Sequence, residues 1–219
     1  MIVETAAAGA FMKNGYVLGC ERTKVAVYID PGDEVEQLLG FIAEQGLRVS
    51  HILLTHAHVD HVSGVAEAKR RLKAPIYLHR ADQELYDNAA QQGAMFGIQV
   101  EQPPPVDCYY DGQESLAFGD YQVAVHHTPG HAPGGVCLAV TKPGDTGAPA
   151  LFAGDNLFAG SIGRTDLPGG DYDVLMKAIT EVLFAFPDDS IVYSGHGPET
   201  TIGRERRSNP FVLEYLASK

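Results

Sequence analysis

Apolar and polar positions along the chain follow two different periods, which predicts a mixture of strands and helices. The run "YQVAVHH" alternates apolar and polar residues, as a half-buried strand does. In "DPGDEVEQLLGFIAEQGL", the residues Val35, Leu38, Leu39 and Ile42 recur at the spacing of one helix face. Both kinds of element are therefore expected within one chain.

The other predicted elements follow the same two patterns. "GYVLGC" and "VAVYID" flank the polar turn "ERTK" as a hairpin, and further strands are predicted over "HILL", "PIYLH", "GGVCLAV", "PALFAG" and "SIVYSG". Helices are predicted after residue 61, over "ADQELYDNAAQQ", over "DYDVLMKAITEVLFAF" and near the end, where Pro210 interrupts the helical stretch. Because no linker separates these elements, we expect one α+β domain over residues 1–219, with two sheets face to face and helices outside.

Composition and charge narrow the class of protein. The chain has 219 residues, of which 45% are hydrophobic and 20% charged, and this is a globular composition. Its net charge is -12, from 16 basic and 28 acidic residues, so a phosphate backbone should be repelled. The nearest basic cluster, Arg204, Arg206 and Arg207, is interrupted by Glu205 and is interpreted as a solvated helix face. No nucleic acid partner is expected.

The cysteines and the N-terminal residues indicate the cellular compartment of the protein. Cys20, Cys108 and Cys137 are odd in number and far apart, which is not typical of a disulfide framework or a thiolate metal site. The first 20 residues lack a basic segment followed by an apolar core, and no segment is apolar over the roughly 18 residues that a membrane span needs. We therefore expect a cytoplasmic protein without a leader or a membrane partner; the pattern leaves the oligomeric state open.

One short segment carries an unusual density of possible metal ligands. "THAHVDH" follows an apolar strand and contains His56, His58, Asp60 and His61 within six positions. His56 and His58 are two residues apart, so they can point to the same side of an extended segment. Neutral imidazole and carboxylate groups are ligands for zinc and iron. A lone surface histidine pair would carry little meaning, but four ligand types together predict a metal site.

Three further residues stand in the same local setting. His131 in "HTPGH", Asp155 in "LFAGD" and His196 in "YSGHGP" each follow an apolar strand in a turn that contains glycine. A single structural site needs about four ligands, so seven candidates indicate two divalent metal ions with one shared carboxylate. The set has no thiolate and suits zinc, iron or manganese, of which zinc is the first expectation.

The order H-x-H-x-D-H, then separated His, Asp and His, resembles the metallo-β-lactamase superfamily from "IDPG" to "GHGP". The resemblance implies an αββα four-layer sandwich with the metals at one edge of the two sheets. It also implies that one metal is held by His56, His58 and His131. By the same pattern the other metal is held by Asp60, His61 and His196, and Asp155 bridges the two.

A closer resemblance points to a reaction. "GDNLFAGSIGRTDLPGGD" and "GHGPETTIGRERRSNPF" are similar to segments of short bacterial type II glyoxalases, the hydroxyacylglutathione hydrolases. The resemblance implies hydrolysis of a small-molecule glutathione thioester such as S-D-lactoylglutathione. It places Arg164 near a glutathione carboxylate, although a surface pair of Arg164 with Asp166 is an equal alternative. Longer members have a C-terminal helical domain, which we expect to be absent after His196.

The expected chemistry is coherent with these residues. A metal can lower the pKa of bound water towards ~7, and a hydroxide held by two metals could attack the thioester carbonyl. A thiolate leaves readily, since the pKa of a thiol is near ~8.5, so no strong general acid is required. Asp60 is the expected catalytic residue, as ligand and hydrogen-bond acceptor. Asp30 could orient a ligand histidine or cap a turn, and Phe96 could line the pocket or merely pack.

Other reactions remain open at this point. Glutathione persulfide dioxygenases share "GRTD" and an "ER…NP" tail but use a single iron, which His56, His131 and Asp155 would hold here. A lactonase is also compatible with the motif, whereas a nuclease is disfavoured by the acidic charge. The glycines around His196 favour the hydrolase. A protein with a vestigial site is disfavoured because all seven ligand types are present.

Overall fold

The computed structural model describes residues 1–110 and 115–218. Its first sheet has six strands in chain order: β1 (Ile2–Ala8), β2 (Lys13–Gly19), β3 (Val25–Ile29), β4 (Arg48–Leu53), β5 (Ile76–Leu78) and β6 (Cys108–Tyr109). The first three strands are antiparallel, and the pairs from β3 to β6 are parallel. The predicted hairpin over "GYVLGC" and "VAVYID" is confirmed as β2 and β3.

The second sheet also has six strands, in the order β14-β13-β10-β9-β8-β7. These strands are β7 (Ser115–Phe118), β8 (Tyr121–His127), β9 (Val136–Thr141), β10 (Ala150–Gly154), β13 (Ile191–Ser194) and β14 (Thr200–Thr201). A small ribbon of β11 (Leu157–Phe158) and β12 (Ser161–Ile162) lies between β10 and β13 along the chain. Each strand predicted from an apolar run is present.

The α-helices of the described residues fall into two groups along the chain, one before β6 and one after β12. They are α1 (Val35–Glu44), α2 (Val59–Val62), α3 (Val65–Leu72), α4 (Gln83–Asp87), α5 (Ala89–Met95), α6 (Tyr172–Lys177), α7 (Ile202–Ser208) and α8 (Pro210–Ala217). The predicted apolar face of α1 is buried. Pro210 starts α8, where Asn209 accepts hydrogen bonds from the backbone N–H groups of Phe211 and Val212.

Three apolar layers separate four layers of secondary structure. The central layer lies between the sheets and includes Leu18 and Ile29 from the first sheet and Leu138 and Phe152 from the second. A second cluster packs α1 and α3 on the outer face of the first sheet. A third packs α6, α7 and α8 on the outer face of the second sheet. The expected αββα four-layer sandwich is therefore confirmed.

Two helices differ from their predictions because local side-chain bonds interrupt them. "ADQELYDNAAQQ" forms a 3₁₀ turn, α4 and α5, with a break at Asn88, whose side chain donates to the carbonyl of Glu84. "DYDVLMKAITEVLFAF" continues after α6 as a π-turn at 178–182 and a 3₁₀ turn at 183–185. There Thr180 donates its hydroxyl to the carbonyl of Met176.

β1 was not predicted from the sequence. Its last residues are alanines, which have weak strand propensity, and it lies at the edge of its sheet with β2 as its partner. The three cysteines are free thiols, as expected. Among the described helices, none combines the length and the apolar character that crossing a membrane requires.

Candidate metal centre

The histidine-rich segment leaves the carboxyl end of β4 and enters α2. His58 is extended, with φ -66° and ψ 149°, and it immediately precedes the helix. His56 and His58 are therefore presented by an extended stretch, as the spacing predicts. Asp60 and His61 lie on the first turn of α2, which turns them back towards the same point.

The other three candidates come from the second sheet. His131 follows β8, Asp155 follows β10 and His196 follows β13. Backbone hydrogen bonds tie this edge to the first sheet: Val136 N–H donates to Thr55 O (2.8 Å) and Asn14 N–H donates to Gly195 O (2.7 Å). The ends of both sheets therefore meet around one point.

At that point the seven side chains form groups in which all ligand atoms lie within 4.8 Å of one another. These groups are His56, His58 and His131; His56, His61 and Asp155; and Asp60, His61 and His196. We name the first the histidine group and the last the acidic group. All the residues predicted as metal ligands, and Asp60 as catalytic residue, are thus brought together.

Asp155 lies between the histidine group and the acidic group. Its Oδ1 is 3.3 Å from Nε2 of His61, and its Oδ2 is 3.5 Å from Nε2 of His131 and 3.4 Å from Nε2 of His196. Asp60 Oδ2 is 3.2 Å from the same nitrogen of His196. This position is the one a bridging carboxylate requires.

The ligand histidines are oriented by acceptors on their far side. Nδ1 of His61 is 2.9 Å from Asp30 Oδ2, and Nδ1 of His196 is 3.0 Å from the carbonyl of Phe11. Asp30 Oδ1 also accepts the backbone N–H of Thr55, the residue before His56. Such partners fix the ring orientation and the tautomer of a ligand. Asp30 thus contacts a ligand histidine, and it holds a left-handed φ of 51°.

The donor atoms fit a metal because several of them lack any other partner. Nε2 of His56 is buried without a hydrogen bond, and Nε2 of His61 and Oδ1 of Asp155 lie 3.3 Å from each other, outside hydrogen-bond geometry. Buried polar atoms are almost always paired, so orphaned atoms aimed at one point call for a partner. Nitrogen and carboxylate oxygen are the donors that zinc and iron take. The residues present therefore fit divalent metal ions.

Burial keeps the histidine group uncharged. Desolvation lowers the pKa of His56 well below its usual range, and electrostatic repulsion from His61 and His131 lowers it further. Burial together with His131 lowers the pKa of His58 to about 3. The pKa of His131 is also lowered by burial. Neutral imidazole is the form that binds a metal.

In the acidic group the surrounding carboxylates raise the pKa values of the histidines instead. Burial would lower the pKa of His61, but the carboxylates of Asp155, Asp60 and Asp30 raise it to about 10. Burial is likewise outweighed at His196, where Asp155 and Asp60 raise the pKa to about 9. The carboxylates thus favour a positive charge on the neighbouring histidines. A divalent cation at the same place would supply that positive charge.

Asp82 is a buried residue that sequence reasoning missed. Its Oδ2 accepts the backbone N–H of Ala57 (2.9 Å), between His56 and His58, and its Oδ1 accepts that of Gly134, beside the turn of His131. Burial raises its pKa to about 6, although both N–H groups oppose the shift. Asp82 therefore clamps together the two loops of the histidine group. Its place in "HRADQ" gives no signal of this.

Gly195 lies against the ligands for a steric reason. A Cβ at this position would meet Asp155 Oδ1 at 2.0 Å and Cε1 of His61 at 2.7 Å. Only glycine allows the backbone to approach the centre this closely. A glycine before His196 is thus required for Asp155 and His61 to keep their positions.

A cavity of about 380 Å³ opens above the ligand groups. Arg164 lies on its wall, with its carbonyl 2.8 Å from Nδ1 of His131. The exposed guanidinium of Arg164 donates two hydrogen bonds of 2.7 Å to Asp166. The pair of Arg164 with Asp166, which the sequence left open as an alternative, is therefore present, and it lies at the wall of the pocket. Phe96 lines the same pocket.

The remaining histidines lie outside the ligand groups. His79 and His127 stack on each other with ring centroids 4.0 Å apart, and His51 and His126 contact aromatic rings elsewhere. A larger cavity, of about 560 Å³, lies against Arg22 and Asp120, which pair with each other. No ligand residue lines that cavity, so the chemistry belongs to the smaller one.

Comparison with known proteins identifies the family. The model of the metallo-beta-lactamase superfamily matches residues 8–196, which contain all seven candidate ligands described above. The chain belongs to the metallo-β-lactamase superfamily. Among curated members, the probable metallo-hydrolase YqgX of Bacillus subtilis is 36% identical over 93% of this chain and 94% of its own length. The hydroxyacylglutathione hydrolase GloC of Haemophilus influenzae is 34% identical, over 97% of this chain and 98% of its own.

Two solved structures of the superfamily resemble this chain over nearly its full length. BLEG-1, a B3 metallo-beta-lactamase, is 37% identical with a TM-score of 0.86, over 96% of this chain and 99% of that one. TTHA1623, solved in a di-iron-bound form, is 40% identical with a TM-score of 0.81, over 95% of this chain and 100% of that one. This member of the superfamily is thus a metallo-hydrolase-like chain with a His/Asp cluster able to bind metals.

Proposed function

We propose that the chain is a dinuclear metal-dependent thioester hydrolase that acts on hydroxyacylglutathiones such as S-D-lactoylglutathione. The observation that carries the proposal is the pair of three-ligand groups joined by Asp155 at the base of an open pocket. A curated relative with this activity matches nearly end to end, and a solved relative holds two irons. The proposal takes residues 1–219 as a single hydrolase domain.

In this proposal the histidine group would hold one ion, the acidic group would hold the other, and Asp155 would be shared between them. Two divalent ions, zinc first and iron or manganese as alternatives, would lower the pKa of a water molecule and polarise the thioester carbonyl when bound. Asp60, which is partly exposed to the pocket, accepts the hydrogen bond that orients the attacking water. Asp30 holds His61 in place throughout.

The pocket supplies substrate recognition. Arg164 lies on the wall of the pocket beside His131, where its guanidinium can meet a carboxylate of the glutathione moiety. To do so it must exchange or share its two bonds to Asp166. The departing thiolate needs little help, since the pKa of a thiol is near ~8.5. This agrees with a pocket in which, apart from the candidate metal ligands, no described lining residue is a buried acid.

The test is loss of thioester absorbance with S-D-lactoylglutathione and metal-reconstituted protein. We expect fast hydrolysis that a chelator abolishes and added metal restores. His58→Ala and His196→Ala are expected to retain about one ion per chain instead of two, measured by elemental analysis. Protein with two bound ions that leaves the thioester intact would contradict the proposal. Oxygen uptake with glutathione persulfide would then indicate the single-iron dioxygenase.

A further inference from the structure

The pocket above the ligand groups has mostly apolar walls. Apart from the candidate ligands, every described residue that lines it is apolar except Gln92 and Arg164. Arg164 is the one charged side chain in that set. A ligand that fills this space must therefore present apolar surface to most of it.

The walls differ between the two ends of the pocket. The carbonyl of Phe11 accepts a hydrogen bond from His196, and the ring of Phe11 meets the ring of Phe96 edge to face, with centroids 5.5 Å apart. The carbonyl of Arg164 contacts His131 instead. An aromatic end therefore adjoins the acidic group, and a cationic end adjoins the histidine group.

The aromatic end exposes large apolar side chains on a fixed support. Met95 is 78% exposed and Phe96 is 48% exposed. Met95 ends α5 and Phe96 follows it directly, and α5 is anchored by Gln92, whose amide donates to the carbonyls of Ala57 and Leu85. Exposed apolar side chains gathered at the mouth of a pocket are typical of a binding surface.

The cationic end is weak by comparison. The charge of Arg164 is already shared with Asp166, and the chain as a whole has a net charge of -12. A glutathione moiety carries two carboxylates, so this end offers it little attraction. A large share of substrate binding must therefore come from apolar contact at the other end.

We propose that the aromatic end formed by Phe11, Met95 and Phe96 binds the acyl group of the thioester, and that this acyl group is bulky and apolar, of the size of a phenyl ring. The glutathione moiety then lies at the Arg164 end. This inference rests on the proposed thioester hydrolysis and extends it to a substrate class. A lactoyl group, with a single methyl, leaves the aromatic end unfilled.

The experiment compares kcat/KM of the metal-loaded enzyme for S-mandeloylglutathione and S-D-lactoylglutathione, which differ by phenyl against methyl. We expect wild type to prefer the mandeloyl thioester by about tenfold or more, the discrimination that apolar contact provides. Phe96→Ser should remove most of that preference, because kcat/KM for the mandeloyl thioester should fall by a much larger factor than kcat/KM for the lactoyl thioester. Met12→Asn is the control, because Met12 is also a large exposed apolar residue, at 59% exposed, but is not among the residues that line the pocket.

A binding measurement separates this inference from the proposed reaction. Calorimetric titration with S-benzylglutathione and S-methylglutathione needs no turnover, and we expect tighter binding of the benzyl compound that Phe96→Ser abolishes. Equal binding of S-benzylglutathione and S-methylglutathione would overturn the inference. Equal kcat/KM for the mandeloyl and lactoyl thioesters, in wild type and variant alike, would also overturn it, while the proposed hydrolysis would still stand. Benzyl-selective binding without any hydrolysis would support the aromatic end and contradict the proposed reaction.

Discussion

At the scale of single residues, Asp82 shows how a side chain outside the ligand set can control metal binding. It joins the loop of His56 and His58 to the loop of His131 through two backbone N–H groups. In Asp82→Ala both groups lose their acceptor, so the histidine group should open. We expect the ion there to bind about 10- to 100-fold more weakly, as is typical when such supporting partners are lost. The acidic group should change less.

The measurement is metal content per chain after dialysis against graded chelator, with absorption of a cobalt-substituted protein to identify the site. Asp107→Ala is a suitable control, because Asp107 also accepts a backbone N–H, from Ile76, and pairs with Lys69 far from the ligands. That variant should lose some stability and keep both ions. Unchanged retention of both ions in Asp82→Ala would show that the clamp is not needed.

The residues of the centre divide into those that sequence can and cannot reveal. His56, His58, Asp60 and His61 are visible because one strand end supplies them together. The functions of Asp82 and of the Phe11 carbonyl are invisible, since each acts through a backbone group far along the chain. Side-chain chemistry leaves a mark on the sequence, whereas hydrogen bonds to the main chain leave almost none.

At the scale of elements, a buried ion pair fastens β2 to the turn before α1. Lys13 is 1% exposed, donates to the carbonyl of Asp30 and lies 3.1 Å from Glu34. Glu34 also accepts from Gly32 N–H and the hydroxyl of Tyr28. Lys13→Met would leave the Glu34 carboxylate buried without its cation. We expect a loss of about 3–5 kcal/mol in the free energy of unfolding, measured by urea denaturation.

The double variant Lys13→Met with Glu34→Gln tests the cause. Since it removes both charges, it should be clearly more stable than Lys13→Met alone. If the single and double variants unfold at the same urea concentration, lost packing rather than the unpaired charge would explain the effect. A single variant as stable as wild type would contradict the prediction outright.

Elements with a strong period were predicted well, and those set by tertiary contacts were not. The buried positions of α1 and the alternating burial along β8 depend on residues that are close in sequence. β1 depends on its partner β2, and the break before α5 depends on the side chain of Asn88. Propensity and period describe an isolated segment, so they cannot show where a neighbour overrides it.

At the scale of the whole molecule, the metal centre joins the two sheets. Ligands come from β4 and α2 on one side and from β8, β10 and β13 on the other. Metal that binds only the folded chain stabilises it by about 2.7 kcal/mol at a free concentration of one hundred times Kd. We expect chelation to lower the Tm by roughly 5 to 10 °C, measured by calorimetry with and without chelator.

His196→Ala provides the comparison, because it removes one ligand of the acidic group and keeps the histidine group intact. Chelation should lower its Tm by a smaller amount than it does in wild type. The same Tm with and without chelator in wild type would mean that the metals contribute nothing to the joining of the sheets. The four-layer fold itself was predictable from pattern and family resemblance, but this joining required the three-dimensional arrangement.

The order of the ligands along the chain has a consequence for how the protein matures during synthesis. The histidine group is complete once residue 131 has emerged, whereas the acidic group waits for His196 on the loop after β13. That loop must then reach back to Asn14, near the start of the chain. In the proposed dinuclear centre, the first ion could therefore bind before the second sheet is complete, while the second ion could bind only after the loop that carries His196 has emerged.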